Sequence, residues 1–432
     1  MFNVRPPFTR AGWYKWMVVG LLWVAGFFNA VDRHSIYSLF PVFEKELGAS
    51  QLELGLLGSG FLWAYAMLGP FAGYIGDRFP RRKVIIISVL CWSLTTALSG
   101  FSNSTNMLIA LRVLLAVCEA FYLPTALAML SDHHSEATRS KAVALQISAM
   151  AIGQVTGGFL GGFIGERFGW RLVFFGLGGA GLLWVPVLAA ALYGPSKSLA
   201  GKAEVKLQKP LLMAVADLVR ISSLRLLVIA FVCYSMVGAI ISTWLPYYLF
   251  KAFRLSLTAA GFSANFYLEV PTSVGNLAGG AVGDYFAARN FRGRMLTQAG
   301  SLILSAPFFV VLATAGDFKQ VAGGLILLGF IRGAWASNVM PVICQIVPEN
   351  LRATTYGIMN CLGNVSGGVA AIIAARAVGT RLGMGTAFAS CGLLYWIAAG
   401  VLILAAWTYL KRDFRVQAAN SIELVEQRGD TK

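Results

Sequence analysis

Charge is scarce in this chain. Acidic and basic residues make up 12% of its 432 positions, about half the share an ordinary soluble domain carries. That excludes a water-soluble protein with an ordinary charged surface. Cysteine is thin too: Cys91, Cys118, Cys233, Cys344, Cys361 and Cys391 each stand alone in an apolar run. Without a CxxC spacing they form neither a disulfide framework nor a thiolate metal site, and they read as small buried hydrophobes. Three histidines give no metal cluster; His133 and His134 fall just beyond a helical run, where a solvated role is expected. GxSxG, HExxH, facing aspartates and any long soluble stretch are all missing. The sequence therefore predicts no enzyme, no metal and no cofactor.

What the chain has is apolar length. It is 57% hydrophobic, with a mean hydropathy of +0.69. Runs of about 20 apolar residues recur from end to end, each enough to cross a bilayer. Continuous runs suit helices, not alternating barrel strands. Twelve spans are predicted, at 13–40, 51–77, 83–101, 106–130, 138–165, 171–193, 225–250, 257–286, 294–315, 320–347, 353–379 and 384–410. The one long polar connector is GPSKSLAGKAEVKLQKP, Gly194 to Pro210. It divides the chain into a six-helix bundle at 1–193, a linker at 194–224 with a short amphipathic helix, a second bundle at 225–410 and a tail at 411–432. The opening MFNVRPPFTRAGWYKWM lacks a cleavage site and is not expected to be a signal peptide; Trp13, Tyr14 and Trp16 suit an interfacial belt.

A net charge of +16 raises nucleic acid as a partner, but the distribution excludes it. Even-numbered loops and both termini hold 24 of the 35 basic residues, and the opposite side holds eight. Positive charge stays cytoplasmic, so both termini are expected there, in a plasma or bacterial inner membrane with lipid as the surroundings. Three arginines remain at membrane depth: Arg33, Arg112 and Arg332.

The halves repeat. GYIGDR, Gly73 to Arg78, follows the second span, and GAVGDY, Gly280 to Tyr285, follows the eighth with the same G-x-x-x-D spacing. GYIGDRFPRRK, Gly73 to Lys83, resembles the loop signature of the major facilitator superfamily, with Pro80 where the family commonly has glycine. The resemblance covers essentially the whole chain. It implies an all-α membrane protein of twelve helices in two pseudo-symmetric bundles, with a site between them at mid-membrane and a monomer as default. It also implies a conformational latch of Gly73, Asp77 and Arg81, copied at Asp284. Glycines 153, 157, 161 and 165 make a small-residue stripe on the fifth span, echoed by Gly357, Gly363, Gly367 and Gly368 on the eleventh. These read as scaffold or hinge.

The costly residues are those at depth. The first span carries Asp32 and Arg33, with Tyr37 one turn on. The fourth carries Arg112 and Glu119, seven residues apart and so on one helix face, about 10 Å apart along the axis. Such groups persist where they pair or face a wet cavity. Structural salt bridges are the plain reading, but buried ion pairs stabilise little, so four charges point to a task. The D-R and R-x6-E pattern, with GIMNCLGNVSGG from Gly357, is similar to the anion:cation symporter branch of the superfamily. That branch includes sugar-acid transporters and vesicular glutamate and sialic acid carriers. The resemblance implies that Asp32 and Glu119 carry protons, that Arg33 and Arg112 hold an organic anion, and that Tyr65 contacts a sugar acid. Tyr37, Asn360 and Asn364 complete the candidate contacts. Glu269 and Arg332 are outliers that pair with each other, line the cavity or touch substrate. The expected function is proton-coupled symport of a small organic anion by alternating access. The alternatives are a spinster-like lysolipid carrier, its cavity lined by Phe61, Trp63, Phe121 and Trp335, and a receptor that binds without transporting.

Overall fold

The computed structural model describes residues 12–193, 211–378 and 383–415. Helices dominate, and no strand occurs among the described residues. In chain order they are α1 (Tyr14–Ser38), α2 (Phe40–Glu46), α3 (Gln51–Arg78), α4 (Arg81–Ser99), α5 (Thr105–Glu119), α6 (Tyr122–His133), α7 (Glu136–Phe168) and α8 (Trp170–Ala191). There follow α9 (Leu211–Val219), α10 (Ser222–Phe253), α11 (Leu257–Arg289), α12 (Gly293–Thr314), α13 (Phe318–Ile346), α14 (Arg352–Val378) and α15 (Gly383–Leu404). Eleven helical stretches among the described residues are long and apolar enough to cross a membrane, with α5 and α6 counted as one. The remaining long helix, α11, has 33 residues but carries Asn265, Glu269, Asn276 and Asp284. Of the linker predicted at 194–224 and the tail predicted at 411–432, residues 194–210 and 416–432 lie outside the described residues.

The first span, predicted at 13–40, is α1 through Ser38, with Pro41 just beyond it; the fourth predicted span is broken, because Pro124 sits in the first turn of α6. Proline has no N–H to give the carbonyl four residues back. The fourth span accordingly ends its first helix at Glu119, leaving that carboxylate in the last turn of α5.

The helices gather into two compact units. One draws on Met1–Glu204 and Ser242–Phe266, the other on Val205–Ile241 and Tyr267–Lys432. In the first unit α1 packs on α7, α4 on α8, and α3 on α5. The α1–α7 contact is backbone on backbone. A Cβ at Gly153 would sit 2.7 Å from the Phe27 carbonyl oxygen, and one at Gly157 2.7 Å from that of Val31. Only a residue without a side chain permits that approach. Trp92, Tyr122, Leu22 and Met129 fill the core behind it. Ser242–Phe266 joins this unit through polar contacts. Tyr247 donates to Glu44 at 3.0 Å, Lys251 pairs with Glu44 at 2.8 Å, and Thr258 donates twice to Glu166.

In the second unit α12 packs against α13 and α15. Of the glycine echo on α14, Gly357 has open space around it and a Cβ at Gly363 would meet the Ser235 hydroxyl instead of a backbone, while Gly367 and Gly368 are buried. His134 departs from expectation. It is 3% exposed, because its Nε2 reaches the Lys15 carbonyl at 3.2 Å and its Nδ1 the Thr138 hydroxyl at 3.1 Å. These bonds draw the ring inward from the end of α6.

Candidate functional site

The four intramembrane charges of the first unit gather around α1, α3 and α5. Arg33 donates from Nη2 to Glu119 Oε2 at 3.0 Å. Glu119 is buried, and its Oε1 has no hydrogen-bond partner. Asn29, one turn before Arg33, is buried with its side-chain amide close to Glu119. The Arg33 side chain keeps 21% exposure, so this pair has one accessible member and one sealed member.

Arg112 shares a face of α5 with Glu119 but takes other partners. It donates to the main-chain oxygens of Asp32 at 3.4 Å and Arg33 at 2.5 Å. A helical carbonyl has a second lone pair, so it accepts such a donor while keeping its helix bond. Arg112 thus clamps the D-R step of α1 through backbone. Its Nε has no partner.

Asp32 points another way. It accepts from the Thr96 hydroxyl of α4 at 3.1 Å, and its Oδ1 is buried without a partner. A small cleft lined by Asp32, Ile36, Thr96, Ser99, Leu108, Arg112, Leu115 and Phe174 reaches this carboxylate. The two acids lie within electrostatic range of each other, yet each has its own partners. Asp32, Glu119, Arg33 and Arg112 sum to zero charge.

Aromatic rings hold the guanidinium groups. Phe61 of α3 is packed by both, with Arg33 4.7 Å and Arg112 4.6 Å from its ring centre. Tyr65 stacks on Phe61 and lies 4.8 Å from Arg33. Tyr37 is buried, 5.7 Å from Arg112. A cation over a ring face is attracted by the ring quadrupole, more strongly where water is excluded. Phe61 and Trp335 are each buried, so neither borders an open apolar chamber.

The other sequence candidates have the following partners. Asn360 and Asn364 spend an amide N–H on carbonyls of their own helix, at 2.9 Å each. Glu269 and Arg332 do approach each other, at 3.8 Å. Of the latch, Gly73 and Asp77 lie outside the residues whose side chains are described. Arg81 bonds Asp132 and the Ala128 carbonyl, and Asp284 pairs with Arg294 at 2.5 Å. Sequence reasoning missed Thr96 and Asn29. The signal was there: the third span is dotted with Ser93, Thr95, Thr96 and Ser99, and Asn29 stands one turn before the D-R pair.

The family model of the Major Facilitator Superfamily matches residues 22–371. The probable galactarate/D-glucarate transporter GudP of Escherichia coli is 25% identical, over 84% of this chain and 87% of its own length. The probable sulfoacetate transporter SauU of Cupriavidus necator is 26% identical, over 82% and 92%. A D-galactonate transporter of Escherichia coli is 24% identical, over 93% and 96%. Among solved structures, a bacterial homologue of the human lysosomal transporter Spinster, inward-facing and occupied, aligns with a TM-score of 0.78 at 19% identity, covering 93% of this chain and 98% of that one. The nucleoside transporter NupG aligns at 0.69 and 13%, over 91% and 99%. These likenesses agree with the helical architecture, and the family match over residues 22–371 decides the assignment: this chain is an integral membrane protein of the Major Facilitator Superfamily, a family of transporters and not of enzymes.

Proposed function

We propose that this protein moves a small organic anion of the sugar-acid type together with protons, by alternating access, across a plasma or bacterial inner membrane with both termini cytoplasmic. The observation that carries the reading is the Arg33–Glu119 pair: a partly exposed guanidinium whose counter-charge is a fully buried carboxylate. The four charges are neutral as they stand. A bound carboxylate adds one negative charge in a low-dielectric setting, where uncompensated charge is expensive. A proton on Glu119 or Asp32 restores neutrality. Arg33 then exchanges Glu119 for the substrate's carboxylate, to which its planar fork is matched. Anion and proton affinities become linked, and linkage is reciprocal. Arg112 orients Arg33 and Asp32 through α1, and Tyr65 borders the anion beside Arg33.

The names of the curated relatives support the anion class: sugar acids and sulfoacetate are small and acidic. The lysolipid alternative rests on likeness of fold alone. The test is thermal stabilisation of the purified protein by a panel of organic acids at two pH values. A binder is expected to stabilise more at the lower pH, and Glu119→Gln to erase the difference. Equal shifts at both pH values in the unmutated protein would sink proton coupling.

A further inference from the structure

We infer that the second unit carries an anion-binding centre of its own, in which Arg332, Tyr234 and Tyr395 take a carboxylate in place of Glu269. The centre shares no residue with the cluster around Arg33 and stands independently of the function proposed above.

Four helices build it. Tyr234 comes from α10, Glu269 from α11, Arg332 and Trp335 from α13, and Tyr395 from α15. The Tyr234 ring is stacked between Trp335, at 5.1 Å and 22°, and Tyr395, at 5.9 Å and 8°. Phe309 meets Tyr395 edge-on at 5.2 Å. Trp335 and Tyr395 are both fully buried. The phenols therefore sit in a fixed aromatic stack.

Donors outnumber acceptors in this centre. Arg332 donates from Nε to Tyr234 Oη at 2.9 Å, so that oxygen is used as an acceptor and its own proton remains to be given. Tyr395 Oη is buried with no hydrogen-bond partner, and it lies within electrostatic range of Arg332. The acid provided is Glu269, whose Oε1 stands 3.8 Å from Arg332 Nη1. That is Coulombic contact beyond hydrogen-bond reach. A pair selected for structure would close to bidentate geometry, which is where an arginine–carboxylate pair gains its strength. Arg332 and Glu269 keep 15% and 16% exposure, so neither is fully sealed.

A partly open guanidinium with two phenol protons to give needs an acceptor with one negative charge and several lone pairs. A carboxylate has these. Entering, it takes the guanidinium fork, accepts from the phenols, and displaces the loosely held Glu269 toward water. The same chemistry comes from a hydroxylated sugar acid or from any small carboxylate in the medium.

The test is isothermal titration of the full-length protein with D-glucarate and, separately, acetate, in wild type, Arg332→Gln, Glu269→Gln and Tyr395→Phe. Each is repeated on Arg112→Gln, which removes a cation of the first unit. Arg332→Gln is expected to weaken a carboxylate by about tenfold or more, as the loss of a charge-assisted contact does. Glu269→Gln removes the competing acid and should tighten binding, and Tyr395→Phe should weaken it; all three effects should persist on Arg112→Gln. Glucarate alone binding marks a solute-selective centre, and both probes binding marks a general carboxylate centre. Wild-type titration by Arg332→Gln and Glu269→Gln overturns the inference, as does the failure of both probes to bind. Should Arg332→Gln fail to fold, unchanged titration of both Glu269→Gln and Tyr395→Phe overturns it alone. Loss in Arg112→Gln with no effect of Arg332→Gln leaves the function proposed above standing and removes this centre.

Discussion

Arg33 and Glu119 meet at 3.0 Å across two helices, and the glutamate side chain has no exposed surface at all. The arginine side chain keeps 21% exposure, so the pair has one accessible member and one sealed member. Neutralising Glu119 therefore separates binding from coupling. In proteoliposomes, Glu119→Gln is expected to abolish accumulation driven by a pH gradient while solute exchange continues at a rate near that of wild type. Accumulation that survives the change removes Glu119 from the coupling path.

Asp32 and Thr96 give a second prediction, on stability. The Thr96 hydroxyl donates to a buried carboxylate whose other oxygen is unpartnered. A hydrogen bond to a charged group contributes about 1.5–3 kcal/mol. Thr96→Val should lower the melting temperature clearly in wild type, and much less when Asp32 is already Asn. A double-mutant cycle reads the coupling; additive effects would show that the two side chains do not depend on each other.

The α1–α7 contact predicts opposite outcomes for two glycines. At Gly157 a Cβ would press on the Val31 backbone, whereas at Gly176 of α8 it meets nothing within 4 Å. Gly157→Val should reduce folded yield and melting temperature severely, since neither backbone can retreat. Gly176→Ala should be neutral or stabilising by up to about 1 kcal/mol, the helix preference for alanine. Thermal unfolding in detergent, monitored by fluorescence, separates the two.

His134 gives a pH dependence outside the spans. Burial, with the nearby Lys15 and His133 charges adding to it, holds its pKa below the ordinary 6.5, against the opposing hydrogen bond to the Lys15 carbonyl. The folded protein then binds fewer protons than the unfolded one as pH falls below 6.5. Its contribution is complete above that pH and is lost as pH drops toward the depressed value. Melting temperatures measured from pH 8 to pH 5 should fall in the lower part of the range, with a shallower fall in His134→Asn. An identical slope in the variant would assign the loss to other groups.

The sequence read the spans well because a bilayer tests each segment separately: length and hydropathy of one stretch decide whether it crosses. Where it erred, the cause lay in a single residue or a neighbour. Pro124 breaks a span that hydropathy alone reads as continuous. His134 looked solvated because a sequence does not show that Lys15 offers it a carbonyl.

The apolar spans put two acids and two arginines at membrane depth from the sequence alone, and the signature GYIGDRFPRRK carried the resemblance to the family. The sequence could not choose the partners of those charges. Arg112 lies two turns from Glu119 on the same helix, yet it is Arg33 of another helix that takes the carboxylate, while Arg112 holds main-chain oxygens of α1. Partner choice depends on how far each helix is rotated and how closely its neighbours approach. The approach of α1 to α7 is set by glycines that carry no charge. Depth is a property of one segment, whereas pairing is a property of several packed together, and only the tertiary structure decides it.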